Sequence, residues 1–166
     1  SELAQYSTYE ETAYLLWFGE LPSQAQLDEL KDRLVKERDL DRGLQKLVRA
    51  LPKTLHPIEA LRTVVSALPS SDPDSNNVSG YNTVIDKIIP LTAKFPTILA
   101  YYQRYLEGQD FVHPDPTLGH AANFLYMLRG QRPTQLEAEM MDLALVLMAE
   151  HDFNASTFAA RVTAST

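Results

Sequence analysis

Residues Thr134–Thr157, TQLEAEMMDLALVLMAEHDFNAST, decide how the chain reads. Thr134 and Glu137 have the spacing of a capping box, in which each side chain satisfies a free amide at a helix start. Leu136, Met140, Leu143, Ala144, Leu147 and Met148 then recur at helical steps, so one face of the helix is apolar and is expected to be buried. His151 extends that stripe at the point where the helix should give way to a turn, and Asn154 and Ser156 follow with neutral donors and acceptors. The negative end of the helix dipole and the flanking Glu150 and Asp152 favour an imidazolium there, while burial opposes it. Such a histidine suits an anionic ligand that carries a carbonyl. Pattern alone nevertheless favours the plainer role of a cap on the last helix carbonyls, since isolated histidines are more often structural.

The same period runs outward through the chain. Ser7 with Glu10 and Ser23 with Gln26 repeat the capping spacing. Tyr9, Ala13, Leu16 and Trp17 mark a first buried face, and Leu27, Leu30, Leu34 and Val35 a second. A helix over 42–51 should stop at Pro52, and His56-Pro57 should start the next, whose face is Leu61, Val64, Val65 and Leu68. Residues 69–80, PSSDPDSNNVSG, are polar and aperiodic and read as a mobile loop. Residues 81–106 are helical in pattern, but Pro90 and Pro96 predict a kink or a division into two helices, with Gly108 as the C-terminal cap. Asp115-Pro116 should open a helix through Leu118, Ala122, Leu125 and Leu128 that ends at Gly130. No stretch alternates as a strand would. The fold class is therefore all-α, a set of helices in orthogonal or bundle-like packing that forms one unit over 1–166.

Composition excludes several kinds of function. A net charge of −7, with the basic stretch from Lys31 to Arg49 interleaved with acids, argues against nucleic acid as a partner. Cysteine is absent, which removes disulfides, thiolate catalysis and cysteine-based metal sites. The apolar runs are too short for a membrane helix and the N-terminus carries no signal peptide, so a cytoplasmic protein without a membrane partner is expected. The six glycines are scattered and form no phosphate-cradling loop.

The remaining histidines read as less informative. His56 belongs to a helix start, and His120 falls early in a helix where its ring should be solvated. His113 and Asp115 offer an imidazole and a carboxylate on a loop but lack the further ligands a metal would need, so no metal site is expected. Tyr101, Tyr102 and Tyr105 share a helical face and read as core or interface residues. Ser156 lacks the glycine setting of a nucleophilic serine.

At HDFNAST, residues 151–157, the sequence resembles the citrate synthase family, whose short bacterial and archaeal members carry a His-Glu/Asp-x-Asn-Ala-Ser-Thr motif. ETAYLLWFGELP, HPIEALRTVVSAL, GQDFVHPDP and NFLYML match further family segments in the same order. The resemblance implies part of the family's large helical domain. It implies condensation of acetyl-CoA with oxaloacetate to citrate and CoA, an acyl transfer of the tricarboxylic acid cycle. Acetyl-CoA would be a co-substrate, no cofactor would be needed, and the assembly would be a homodimer. His151 would hydrogen-bond oxaloacetate and orient its carbonyl, with Asn154 and Ser156 supporting the pocket. The family's catalytic histidines and aspartate would fall beyond Thr166, so the resemblance implies a fragment, inactive alone, with no catalytic residue of its own. A 2-methylcitrate synthase using propionyl-CoA, and a non-catalytic helical interaction module, are the alternatives.

Overall fold

The computed structural model describes residues 2–71, 80–150 and 155–165, and every regular element among them is helical. The elements are α1 (Glu2–Tyr6), α2 (Tyr9–Phe18), α3 (Gln24–Glu37), α4 (Arg42–Ala50), α5 (Pro57–Ala67), α6 (Tyr81–Leu106), α7 (His120–Arg129), α8 (Gln135–Met148) and α9 (Ala155–Ala164). Helix starts follow the local chemistry. Ser23 and Thr134 each close a capping box, with Gln26 and Glu137. His56 caps α5 by accepting the Ile58 amide on Nδ1, while the Glu59 carboxylate accepts the His56 amide.

The start of α2 differs from expectation in an instructive way. STYEE contains two overlapping capping boxes, Ser7 with Glu10 and Thr8 with Glu11. The fold uses the second: Thr8 Oγ1 accepts the Glu11 amide, and Glu11 accepts the Thr8 amide at 2.7 Å. The shift by one residue turns Glu10 into the interior together with Thr12, Ala13 and Tyr14, and leaves Leu16 exposed.

Helix α6 is the common support. It runs 26 residues through both Pro90 and Pro96 as one helix, so of the two expected outcomes, a kink or a division, the division does not occur. Proline in a helix interior costs about 3 kcal/mol. Packing against α3, α4, α5 and α7 offsets that cost, because each neighbour buries part of the helix. Its N-terminal half contributes Ile85, Ile89 and Ala93 to one core, with Tyr14, Leu30 and Leu34. Its C-terminal half contributes Ile98, Tyr101 and Tyr102 to a second core, with Leu44, Val48, Ala60 and Val64. Tyr102 is fully buried there, and its hydroxyl lies 3.0 Å and 2.9 Å from the carbonyls of Pro52 and Leu55, the two ends of the α4–α5 connection. Gly108 follows α6 at φ 72, the left-handed conformation that suits a glycine after a helix.

Three further expectations need correction. Residues 68–71 form a 3-10 turn, so the expected loop at 69–80 begins as regular structure, and 72–79 lie outside the described residues. Helix α7 begins at His120 and not at Asp115, because the Asp115 side chain accepts the Thr117 amide and hydroxyl and closes a turn first. The apolar stripe of α8 is not buried: Met140 is 63% and Met148 79% exposed, with Leu136, Leu143 and Leu147 exposed beside them. The side of α8 turned toward its neighbours carries Met141, Asp142 and Leu145 half-buried, with Val146 buried. No described helix is long and apolar enough to cross a membrane.

Candidate functional site

His151 and Asn154 lie outside the described residues. Ser156 sits in the first turn of α9, where it is exposed, as is every described residue of that helix. The segment carrying the expected pocket thus joins α8, which exposes Leu136, Met140, Leu143, Leu147 and Met148, to α9, which exposes Phe158 and Val162.

A second set of polar residues, of which the sequence had offered Glu10 only as a cap partner and His120 only as a solvated ring, is brought together where α2, α3, α7 and α8 meet. Glu10 is 4%, Arg38 2% and His120 4% exposed. The carboxylate of Glu10 accepts the His120 amide at 2.9 Å, satisfying a free donor at the start of α7. Arg38, the residue after α3, donates through Nη1 to the Leu118 carbonyl at 2.7 Å and the Asp115 carbonyl at 3.5 Å. Its own carbonyl accepts the buried Thr97 hydroxyl of α6 at 2.7 Å. Asn123 accepts the Asp115 amide at 2.8 Å, so the turn before α7 is held from three directions. On the other side, Asp142 of α8 accepts the Tyr9 amide at the start of α2.

Burial sets the electrostatics of this cluster. The His120 ring stacks on Tyr9 at 5.0 Å between centroids. Loss of water pulls the His120 imidazole down to about 4, with Glu10 opposing and Arg38 adding to the fall, so it is neutral near pH 7. The expectation of a solvated His120 ring is therefore overturned: α2 covers the start of α7. Burial also lowers Arg38 and raises Asp142 and Tyr9. An open cleft of about 750 Å³ borders the cluster, and Glu10, Arg38, His120 and Asp142 all line it.

His113 and Asp115 are not brought together. His113 Nδ1 lies 3.1 Å from the Tyr101 hydroxyl and 3.2 Å from Asp39 Oδ2, while Tyr101 donates to Asp39 Oδ1 at 2.9 Å. With the tyrosine proton committed to Asp39, Nδ1 carries a proton and shares it between the two oxygens. Burial, then Asp39, raises the Tyr101 phenol. Asp115 instead pairs with Arg132, and the Thr117 hydroxyl and amide hold its carboxyl below the usual range. This group fastens the 108–119 connection to the end of α3 and reads as structural.

Signals for the buried cluster were present but ambiguous. Glu10 was concealed by the overlapping capping boxes. His120 and Asn123 stand at helical spacing on the buried side of α7, mixed with the apolar Ala121, Leu125 and Met127.

Comparison with known proteins gives the wider context. A family model described as citrate synthase, C-terminal domain, matches residues 1–166. The citrate synthase of Haloferax volcanii is 47% identical over 99% of this chain and 44% of its own length. The 2-methylcitrate synthase of Mycobacterium tuberculosis is 38% identical over 99% of this chain and 41% of its own length. The crystal structure of citrate synthase from Pyrobaculum aerophilum superimposes with a TM-score of 0.86 at 40% identity, over 99% of this chain and 43% of that one. The chain thus spans less than half the length of the relatives it matches. Along its whole length, and in an all-helical fold that matches citrate synthase structures, this chain belongs to the citrate synthase family.

Proposed function

We propose that this chain supplies the oxaloacetate-binding side of a citrate synthase that condenses acetyl-CoA with oxaloacetate. The observation that carries this reading is 47% identity to a citrate synthase over 99% of the chain; 2-methylcitrate synthases, at 38%, stand level with other citrate synthases, so the acyl-CoA preference is decided by the test below. His151 hydrogen-bonds oxaloacetate and orients its carbonyl, and Asn154 and Ser156 support the pocket. A histidine suits that task because it can present N–H donors to an oxygen that gains negative charge as the new carbon–carbon bond forms. Acetyl-CoA enters as co-substrate, no cofactor is invoked, and the enzyme works in the cytoplasm. Removal of the methyl proton and hydrolysis of the thioester need groups beyond those assigned here, so these 166 residues alone are expected to be inactive.

The test uses a polypeptide of the relatives' full length that contains this chain. His151→Ala is expected to lower kcat/KM for oxaloacetate roughly 100-fold, because a ligand held in the wrong orientation reacts slowly even when bound. Unchanged kinetics would remove His151 from the pocket. A marked preference for propionyl-CoA over acetyl-CoA in the unsubstituted protein would replace the reading with 2-methylcitrate synthase.

A second reading, self-association, is favoured by the exposed stripe on α8. Leu136, Met140, Leu143, Leu147 and Met148 form one apolar face, and Phe158 and Val162 of α9 are also exposed. Contiguous apolar surface of this kind marks a contact site, and a homodimer is the assembly proposed. The chain is expected to sediment as an oligomer. Met140→Lys with Leu147→Lys should raise its dissociation constant roughly tenfold or more. A monomer of the unsubstituted chain at high concentration would count against the homodimer.

A further inference from the structure

His56 takes no part in the oxaloacetate reading, and its geometry gives it a role of its own. Its Nδ1 accepts the Ile58 amide at 3.3 Å, and its main-chain carbonyl takes the Glu59 and Ala60 amides at 2.9 Å and 3.1 Å. Pro57 has no amide to satisfy. Within the first turn of α5, the Ile58 amide is therefore the donor that depends on the imidazole. Helices α2, α3 and α8 start instead on the hydroxyls of Thr8, Ser23 and Thr134. A hydroxyl keeps its lone pairs throughout the neutral range, whereas a ring nitrogen accepts only while it carries no proton.

Imidazoles change charge between about pH 8 and pH 5, where ordinary hydroxyls and carboxylates do not. A second proton on His56 makes both ring nitrogens donors, so the Ile58 amide loses its acceptor. It also sets a positive charge at the positive end of the α5 dipole. Both effects loosen the same turn.

The surroundings confine the change. On α5 itself the Glu59 carboxylate accepts the His56 amide at 3.1 Å, and its charge favours the imidazolium. In the α4–α5 connection Lys53 lies 4.9 Å over the Tyr105 ring, and its charge opposes it. From α6 come the phenols of Tyr102 and Tyr105, and from α4 Arg49, which lies 3.9 Å over the Phe111 ring. The 3-10 turn at the far end of α5 carries no charged residue. Ahead of the cap, the Tyr102 hydroxyl holds the Leu55 carbonyl at 2.9 Å. Beyond it, Ala60 and Val64 are buried in the core. The segment free to respond is thus 56–59.

We propose that His56 is a pH-sensitive cap: neutral, it closes the first turn of α5 through the Ile58 amide, and protonated, it lets residues 56–59 open while the core stays packed. This turn should open roughly tenfold more often at about pH 5.5 than at about pH 7.5, from loss of a cap together with a charge set against the helix dipole.

The test is a pH titration of the 166-residue chain over that range, with the His56 ring nitrogens and the Ile58 amide followed in proton–nitrogen correlation spectra. At the upper end Nδ1 should be bare and Nε2 protonated. As the pH falls, the Ile58 amide should shift with the midpoint of the ring. Its protection from exchange, corrected for the intrinsic rate, should fall roughly tenfold. His56→Asn supplies a cap that does not titrate and should abolish the Ile58 response, which separates the cap from any general loosening of the chain in acid. His56→Ala should leave the Ile58 amide poorly protected at every pH. A proton on Nδ1 at the upper end, an Ile58 midpoint that differs from that of the ring, or a response that survives in His56→Asn overturns the proposal.

Discussion

Tyr102→Ala is expected to destabilise the chain by about 3–5 kcal/mol, a large share of the 5–15 kcal/mol that holds a typical domain together. Tyr102 is 1% exposed in the core formed by α4, α5 and the second half of α6. Removing its ring leaves a cavity among groups held by three separate helices, which have little freedom to collapse into it. Its hydroxyl adds a second effect. One proton is shared between the carbonyls of Pro52 and Leu55, and losing it leaves the α4–α5 connection without its tie to α6. Tyr102→Phe isolates that contribution and should cost about 1 kcal/mol. Urea denaturation of the two variants measures both. A loss below about 1 kcal/mol for Tyr102→Ala would mean that this core does not limit stability.

Mild acid should be the second large perturbation. His120 is neutral in the folded chain because burial depresses its imidazole to about 4, against an ordinary value near 6.5. Between these values the unfolded chain binds a proton that the folded chain does not. The stability tied to the neutral ring is therefore complete above pH 6.5 and is lost as the pH falls from there through about 4. At about 1.4 kcal/mol per pH unit the loss is roughly 3 kcal/mol. Melting temperatures of His120→Phe, which retains a ring to stack on Tyr9, should lose most of this slope. Equal slopes in both proteins would assign the effect to other groups. Glu137 does not confuse the result: the Thr134 amide, then Arg129, hold it at about 2, so its contribution is lost only as the pH falls from 4.5 through that value.

The helices were legible in the sequence because capping chemistry and period act locally. Ser23, His56 and Thr134 start helices in the structure, and Gly108 and Gly130 follow the last turns of two others. What the sequence could not settle were choices made by distant partners. Thr8 prevails over Ser7 as the cap because Glu10 has an occupation elsewhere, 110 residues along the chain. The α8 stripe announced an apolar face without saying what would cover it. Pro90 and Pro96 stay within one helix because neighbouring helices support them, which local propensity does not register. His151, with Asn154 and Ser156 beside it, is singled out only by the resemblance that HDFNAST carries, whereas the pattern around the histidine alone favoured a cap. The cluster around Glu10, Arg38 and His120 had no such motif, and only the packing of α2 on α7 assembles it.

Because α6 carries both cores, the two halves of the molecule cannot open independently of it. At 26 residues it is about 39 Å long, and its middle, from Ala93 to Ile98, passes from one core to the other. Amide protons there exchange with solvent only when α3, α4, α5 and α7 separate from it together, which makes their exchange a measure of global unfolding. Helix α9, whose residues are all exposed, should by contrast exchange by local fraying, so the same chain should display a wide span of protection from one end of its sequence to its centre.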